Sequence, residues 1–491
     1  MSRSNLAWLV VLLAFGLVGL SMFMTLPTPA STLQEKHENY KLVVDILEEI
    51  QQKYAKELKP EDVRKLIENM VNGGLRDFDQ HSYFYNKQDY REFKTQSTGR
   101  FIGVGIQIGL NKYEQLYVIS PVIGSPAYEA GILAGDRIVG IDGAKTEKMD
   151  IEEAKRRIIG EPGTQVKLTV QHNGSKTSED KMITRREIHI ESVMGDRRDP
   201  VNLKEWDFMI DPKLRIGYIR INSFSETTAA DMVKVVESLQ KLGMKGLVLD
   251  LRGNPGGLLK AAVEVSSLFL PDGKTVVSTK GRTKAEDHSY KSSPPVPGFT
   301  PQTDYPIAIL INRGSASAAE ILAAALQDYF RAIIVGERSY GKGSVQNMIP
   351  MENGESALKI TTALYFPPGR EEDGKRKPRN INRESPVWNK DDKKEWGVHP
   401  DPGYEVNLTD DQFRDWLIWR RERDIVHDKG KEPEAKDAKK TEVKDVVLEK
   451  ALDYIRSELG KRGAAGAIRP AAVAERPAPI LLPTLTIASR R

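Results

Sequence analysis

Residues 305–346 constrain what this chain can fold into more than any other stretch. They open with YPIAILIN, an apolar run without a polar face, break at RGSASAAE, and continue as ILAAALQDYF. That order predicts a buried strand, a tight turn of small residues and a helix. RAIIVGERSYGKGSVQ follows, a second short apolar strand and a glycine-rich turn that carries Lys342. GLVLDL at 246–251 is likewise apolar on both faces, as central strands of α/β sheets are. Chemistry in such sheets is expected just beyond the strand ends.

Ser317 sits where the turn becomes helix, and Lys342 lies 25 residues further on, with Gln346 four after that. A serine hydroxyl is a poor nucleophile unless a neighbour accepts its proton. A lysine does so when burial disfavours its ammonium form. Tyr340, Gly341, Gly343 and Val345 around Lys342 suit this, with no carboxylate after Glu337 in that turn. If residues 342–346 are extended, Lys342, Ser344 and Gln346 share a face, and Gln346 orients the amine without charging it. The helix after Ser317 offers free N–H groups, Ala318 first, to a developing oxyanion. The residues therefore read as a serine nucleophile with a lysine base.

Two other readings fit the same residues. Ser317-x-x-Glu320 matches a capping box, the ordinary role of such a serine. Gly336 to Lys342 after a strand looks like a phosphate loop with Asp250 as its acidic partner. That reading fails at Gly343, where Ser or Thr must hold the metal.

The segment NRGSASAAEILAAALQDYFRAIIVGERSYGKGSVQ resembles the carboxy-terminal processing proteases, the PDZ-containing Ser–Lys peptidases of family S41. The resemblance implies Ser317 rather than Ser315 as nucleophile, Lys342 as base and Gln346 as its support. It implies oxyanion donors at Gly257, the glycine before Leu258, and at Ala318. Ala319 stands where many relatives carry serine. The implied fold is multidomain α/β: an N-terminal helical segment, a PDZ domain, an α/β protease core of the ClpP/crotonase type and a C-terminal helical segment. The implied activity is endopeptidase cleavage of exported proteins near their C-termini, without metal, nucleotide or organic cofactor. A catalytically silent PDZ scaffold of the cell envelope is the alternative from another functional class.

The remaining chain fits that frame. There is no cysteine, which excludes disulfides and thiol catalysis, and the seven histidines are scattered without metal-ligand spacing. A net charge of +4 implies no nucleic-acid role. Residues 1–31 form an anchor or signal: 6–26 is almost wholly apolar and follows Arg3, long enough to span a bilayer with the N-terminus inside. An uncleaved anchor is favoured over a cleaved signal, whose apolar core is shorter. Either reading exports the protein to the cell envelope, on the periplasmic side of the inner membrane.

Residues 32–96 read as a helical domain, with Leu42, Val43, Ile46, Leu47 and Ile50 on one stripe and a second helix from Pro60 ending at Asn72-Gly73-Gly74. Such helices suit pairing with a second copy, so a homo-oligomer is expected. Asp79 and His81 read as a capping junction in preference to an acid–base pair. Residues 97–188 resemble a PDZ domain through FIGVGIQIG, SPAYEAG and GDRIVGIDG. The likeness implies that the Val104, Gly105 and Ile106 amides bind a substrate's terminal carboxylate beside the 150–159 helix. Residues 189–407 read as the protease core, with 278–304 a polar surface excursion and 371–396 a charged, solvated loop in preference to a specificity or regulatory element. Residues 408–460 read as a helical segment in which Phe413, Trp416, Leu417 and Trp419 suggest a packed or partner-facing helix, and 461–491 as a disordered tail.

Overall fold

The computed structural model describes residues 30–199, 201–295, 299, 301, 304–383, 395–425 and 443–467. The apolar stretch 6–26 and the tail beyond 467 lie outside the described residues. Among the described residues no helix is long and apolar enough to cross a membrane. The chain divides into two compact units, Met1–Phe84 and Tyr85–Arg491.

The first unit carries two helices, Ala30–Lys53 and Pro60–Phe78. Leu42, Val43, Val44 and Ile46 are exposed on the first. The second does not stop at Asn72-Gly73-Gly74 but runs on to Phe78. A glycine inside a helix costs only about 1 kcal/mol relative to alanine. The amphipathic face carries the helix through, and it ends where Asp79 turns extended. The Asp79 carboxylate then accepts from the amides of His81 (2.7 Å) and Ser82 (2.8 Å).

In the second unit, Asn86 caps the helix Lys87–Thr98 by accepting from the Gln88 and Asp89 amides. The strands Arg100–Gly103 and Arg186–His189 pair as an antiparallel ribbon at the base of a small β body. That body orders its strands as Ile106–Leu110, Leu116–Pro121, Arg137–Ile141, Gln165–Gln171 and Glu179–Thr184. The helix Ile151–Ile158 starts at Asp150, whose carboxylate accepts from the Glu153 amide. Val118, Ile132, Ile141, Leu168 and Val170 fill the body's own core. The body is β-rich around one longer helix, as the sequence predicts.

The large core is a mainly parallel sheet. Ile216–Ile221, Gly246–Asp250, Ile307–Ile311 and Ile333–Gly336 run parallel in that order. Val193–Met194 and Met209–Asp211 add antiparallel to the first of them. All of Ile216–Ile221, Gly246–Asp250 and Ile307–Ile311 are buried, because both faces are covered. The helices Thr228–Lys241, Leu259–Ser267 and Ala318–Asp328 pack one face. Val447, Leu448, Ala451, Leu452 and Ile455 of the C-terminal helix Val446–Ala467 pack the other.

Most described residues of the surface excursion expected at 278–304 are exposed, but its first part belongs to a second sheet. Thr275–Gly281 and His288–Lys291 form a hairpin, and the first of these pairs with Ser356–Phe366. Ser356–Phe366 pairs in turn with Ser344–Met351. The polar alternation of KTVVSTKG belongs to a strand with one buried face, with Val276 and Val277 in the core. Of the four apolar residues expected to face a core or a partner on the helix Asp410–Asp424, Trp416 is buried and Leu417 is exposed. Arg252 reaches Trp416 and holds it there, its guanidinium 4.4 Å from the ring centre.

Candidate active site

The strand Ile307–Ile311 leads through Asn312–Ala316 into the helix Ala318–Asp328, and Ser317 occupies the elbow with φ 55° and ψ −115°. Positive φ is costly for a residue with a Cβ and persists only where the surroundings over-determine it. Such a strained strand-to-helix turn presents a hydroxyl outward. Ser315, the other serine of the run, is fully buried: its hydroxyl donates to the Leu251 carbonyl at 2.8 Å and accepts from the Asn312 amide at 3.0 Å. The geometry thus separates a structural serine from an accessible one, two residues apart.

The turn Asn254–Gly257 packs directly on that elbow. A Cβ at Gly256, where φ is +100°, would lie 2.7 Å from Ser317 Cβ and 2.9 Å from Ala318 N. Gly257 has φ +142° and a Cβ there would meet the Phe224 carbonyl oxygen at 2.0 Å. The amides of Gly257 and Ala318 make no hydrogen bond among the described residues.

Ser317, Lys342, Gln346, Gly257 and Ala318 line one cleft of about 540 Å³, with Phe93, Met348 and Lys359 in its walls. All five residues singled out as chemical therefore meet in one place. Lys342 is half-buried and precedes the strand Ser344–Met351. The register of that strand slips between Val345 and Gln346, where Thr362 is the extra residue of a bulge on the partner strand. The Gln346 amide nitrogen donates to the Ser344 hydroxyl at 2.8 Å and to the Thr361 hydroxyl at 3.2 Å.

Three residues that sequence reasoning missed, or read as ordinary, join the two halves of the site. Glu320 is fully buried, and its carboxylate accepts from the amides of Ser317 (2.8 Å), Lys342 (2.8 Å) and Gly341 (2.7 Å), and from the Ser339 hydroxyl. One carboxylate thus ties the serine elbow to the lysine turn. Burial pushes its pKa up to about 7 against those four donors. The Tyr365 hydroxyl does the same from the carbonyl side, facing the Ser317 oxygen at 3.1 Å and the Lys342 oxygen. Burial, then the nearby Glu320, raises its pKa. The capping-box spacing was legible at Glu320; Tyr365 left no local signal, because its partners are 48 and 23 residues away.

The third is Asn382. The segment expected to be a solvated loop at 371–396 begins with a small hairpin, Glu371–Glu372 with Lys375–Arg376. It then returns to the site. Ile381 is fully buried, the Asn382 side chain accepts from the Gly343 amide at 3.1 Å, and the Arg383 amide donates to the Gly341 carbonyl at 2.8 Å. Charge density misled here, because a few backbone and amide contacts within the charged run anchor it. Residues 384–394 lie outside the described residues.

In the β body, Val104 and Gly105 are buried and Ile106 half-buried. Gly105 has φ +81° and its missing Cβ would sit 2.2 Å from Ser125 Cβ. The Ser125 hydroxyl and Val122 amide donate to the Gly105 carbonyl, at 3.0 and 2.8 Å, and the Ala127 amide donates to the Val104 carbonyl at 2.9 Å. The carbonyls are thus taken up, while the Val104 and Gly105 amides donate to nothing among the described residues.

Comparison with known proteins gives the family. Residues 215–380 match the model of peptidase family S41, and residues 117–172 match a PDZ domain. A carboxy-terminal-processing protease of Bartonella bacilliformis is 34% identical over 416 residues, 83% of this chain and 88% of that protein. A carboxyl-terminal-processing protease of a Picosynechococcus species is 38% identical over 59% of this chain and 66% of that one. The carboxy-terminal processing protease CtpA of Bacillus subtilis is 34% identical over 62% of this chain and 61% of its own length. With an accessible serine at a strained elbow, a PDZ domain before it and a relative matched along most of both chains, this protein belongs to the carboxy-terminal processing proteases, serine peptidases of family S41.

Proposed function

We propose that this enzyme is a Ser–Lys endopeptidase that cuts exported proteins near their C-termini, with its PDZ domain holding the substrate's end. The observation that carries the reading is the convergence of Ser317, Lys342, Gln346, Gly257 and Ala318 on one cleft. In its active form Lys342 is a neutral amine. It accepts the Ser317 proton as Oγ bonds the scissile carbonyl carbon, and the negative oxygen so formed is held by the Gly257 and Ala318 amides. The lysine then passes its proton to the leaving nitrogen as the C–N bond breaks. Water attacks the acyl-enzyme with the amine again as base, and Ser317 is regenerated. Gln346 orients the amine without adding charge.

The unengaged Val104 and Gly105 amides, with Ile106 at the start of the next strand, support a carboxylate site for the substrate's C-terminus. Binding there raises the local concentration of upstream chain at Ser317. The exposed Leu42, Val43, Val44 and Ile46 favour pairing with a second copy, and the apolar residues 6–26 favour tethering to the membrane on its exported side.

The test is mass spectrometry of the products from an unfolded protein. Wild type is expected to release C-terminal fragments, while Ser317→Ala and Lys342→Ala release none. Undiminished cleavage by Lys342→Ala would remove the proposed base. Absence of any cleavage by the wild type would leave the silent scaffold instead.

A further inference from the structure

The active cleft contains a second lysine that the mechanism does not use. Lys359 lines the same cleavage cleft as Ser317 and Lys342, on the strand Ser356–Phe366. The sheet register pairs Met348 with Lys359 and Gln346 with Thr361. Residues two apart on a strand point to the same face, so Lys359 lies on the Gln346 side of the sheet, about 7 Å further along. Its ammonium is held by the Tyr85 hydroxyl, to which it donates at 3.0 Å, and it lies 5.2 Å from the Tyr85 ring centre. Among the described residues it has no carboxylate partner. The cleft lining holds two lysines and no Asp or Glu among the described residues.

A cation fixed by a neutral hydroxyl, in a cleft without a carboxylate, keeps its attraction for an incoming anion. We propose that Lys359 is a specificity-determining residue that takes a carboxylate of the bound chain, within about two or three residues of the scissile bond for an extended substrate. The carboxylate is supplied by an Asp or Glu side chain or by the chain's own C-terminus. Basic side chains are rejected at that position by like charge. This inference rests on the endopeptidase reading of the same cleft.

The experiment uses full-length enzyme and peptides that share their last four residues, so that the PDZ contribution is constant, and that carry Asp, Asn or Lys at one position near the cut. The Asp-to-Lys ratio of kcat/KM is expected to be at least tenfold in the wild type, to invert in Lys359→Glu, to fall towards one in Lys359→Gln and to return in Lys359→Arg. The same ratio read as binding on Ser317→Ala needs no turnover, so selective binding without cleavage in the wild type would sink the peptidase reading and keep the lysine's role. A ratio that Lys359→Glu and Lys359→Gln both leave unchanged, in folded protein that still cleaves, overturns the proposal. If amidation of the peptide's C-terminus weakens binding and Lys359→Glu erases that loss, the carboxylate is the chain end; if the Asp-to-Lys ratio alone responds, it is a side chain.

Discussion

Glu320 shows how much of this site rests on a single residue. Every group that faces its two oxygens is a donor: three amides and one hydroxyl. A glutamine of equal size puts an NH2 where two donors already point, so Glu320→Gln is not a conservative change here. Each donor left unsatisfied costs about 1–3 kcal/mol. Glu320→Gln is therefore expected to lower the melting temperature and to cut kcat by about a hundredfold with little change in KM, since the elbow and the lysine turn lose register; stopped-assay kinetics on folded protein would show this. The raised pKa also has a sign. Between pH 4.5 and about 7 the native state holds a proton that the unfolded chain has released, so stability falls as pH rises through that window. Denaturant titrations across pH 4.5–7 should show that slope in wild type and lose it in Glu320→Gln. A slope equal in both proteins would mean that the carboxyl ionises as freely in the fold as in the open chain. The capping-box spacing of Ser317 and Glu320 was visible in the sequence; that one carboxylate also grips residues 339–342 was not, because helix spacing reports only on its own helix.

The elements around the site are tolerant nowhere near the elbow. Every residue of Ala318–Asp328 is buried, and its small residues let the sheet and the neighbouring helix approach closely. Gly256→Ala forces a Cβ within 2.7 Å of Ser317 Cβ and 2.8 Å of the Ala316 carbonyl, at a φ that L residues avoid. Roughly 1–3 kcal/mol of backbone strain alone follows. The expected result is a lower thermal midpoint with activity reduced beyond what the fraction folded explains, read by calorimetry and turnover on one preparation. The lysine turn is held from the far side by the returning charged segment. Asn382→Ala removes the acceptor for the Gly343 amide, and roughly 1–2 kcal/mol of stability with a severalfold loss in kcat is expected. Unchanged activity in that variant would show that the segment merely passes the turn. Periodicity and turn residues made the elbow strand and helix legible, along with the helix that follows Asp150. They could not make the hairpin Thr275–Gly281 with His288–Lys291 legible, because a half-buried strand full of Thr, Ser and Lys looks like a surface loop until its partner strand is known.

At the scale of the whole molecule, the C-terminal helix is a structural wall of the protease core. Gly246 has no room for a Cβ, which would lie 2.4 Å from Ile455 Cγ2, and Ile216, Tyr218, Val248 and Leu310 are covered from that side. Arg252 fastens the helix start: it pairs with Asp250 and also with Asp445, at 2.8 Å to each oxygen of the latter. Ile455→Ala is expected to cost about 2–5 kcal/mol, measurable by denaturant unfolding. Asp445→Ala leaves the buried Arg252 guanidinium with Asp250 as its remaining carboxylate and two of its N–H groups without their acceptors, and is expected to cost about 1–3 kcal/mol. What the sequence determined by itself was local and chemical. Apolar runs and turn residues specified the central strands and the serine elbow, and the spacing of Ser317, Lys342 and Gln346 resembled one kind of peptidase. What only the tertiary structure decided was how distant pieces meet: Glu320 and Tyr365 clamping two turns, Asn382 returning to one of them, and Lys359 facing the same cleft. Backbone propensity acts over a few residues and leaves its mark in any short window. Hydrogen bonds between segments tens of residues apart depend on the packed sheet that brings them together, and no window of sequence carries that information.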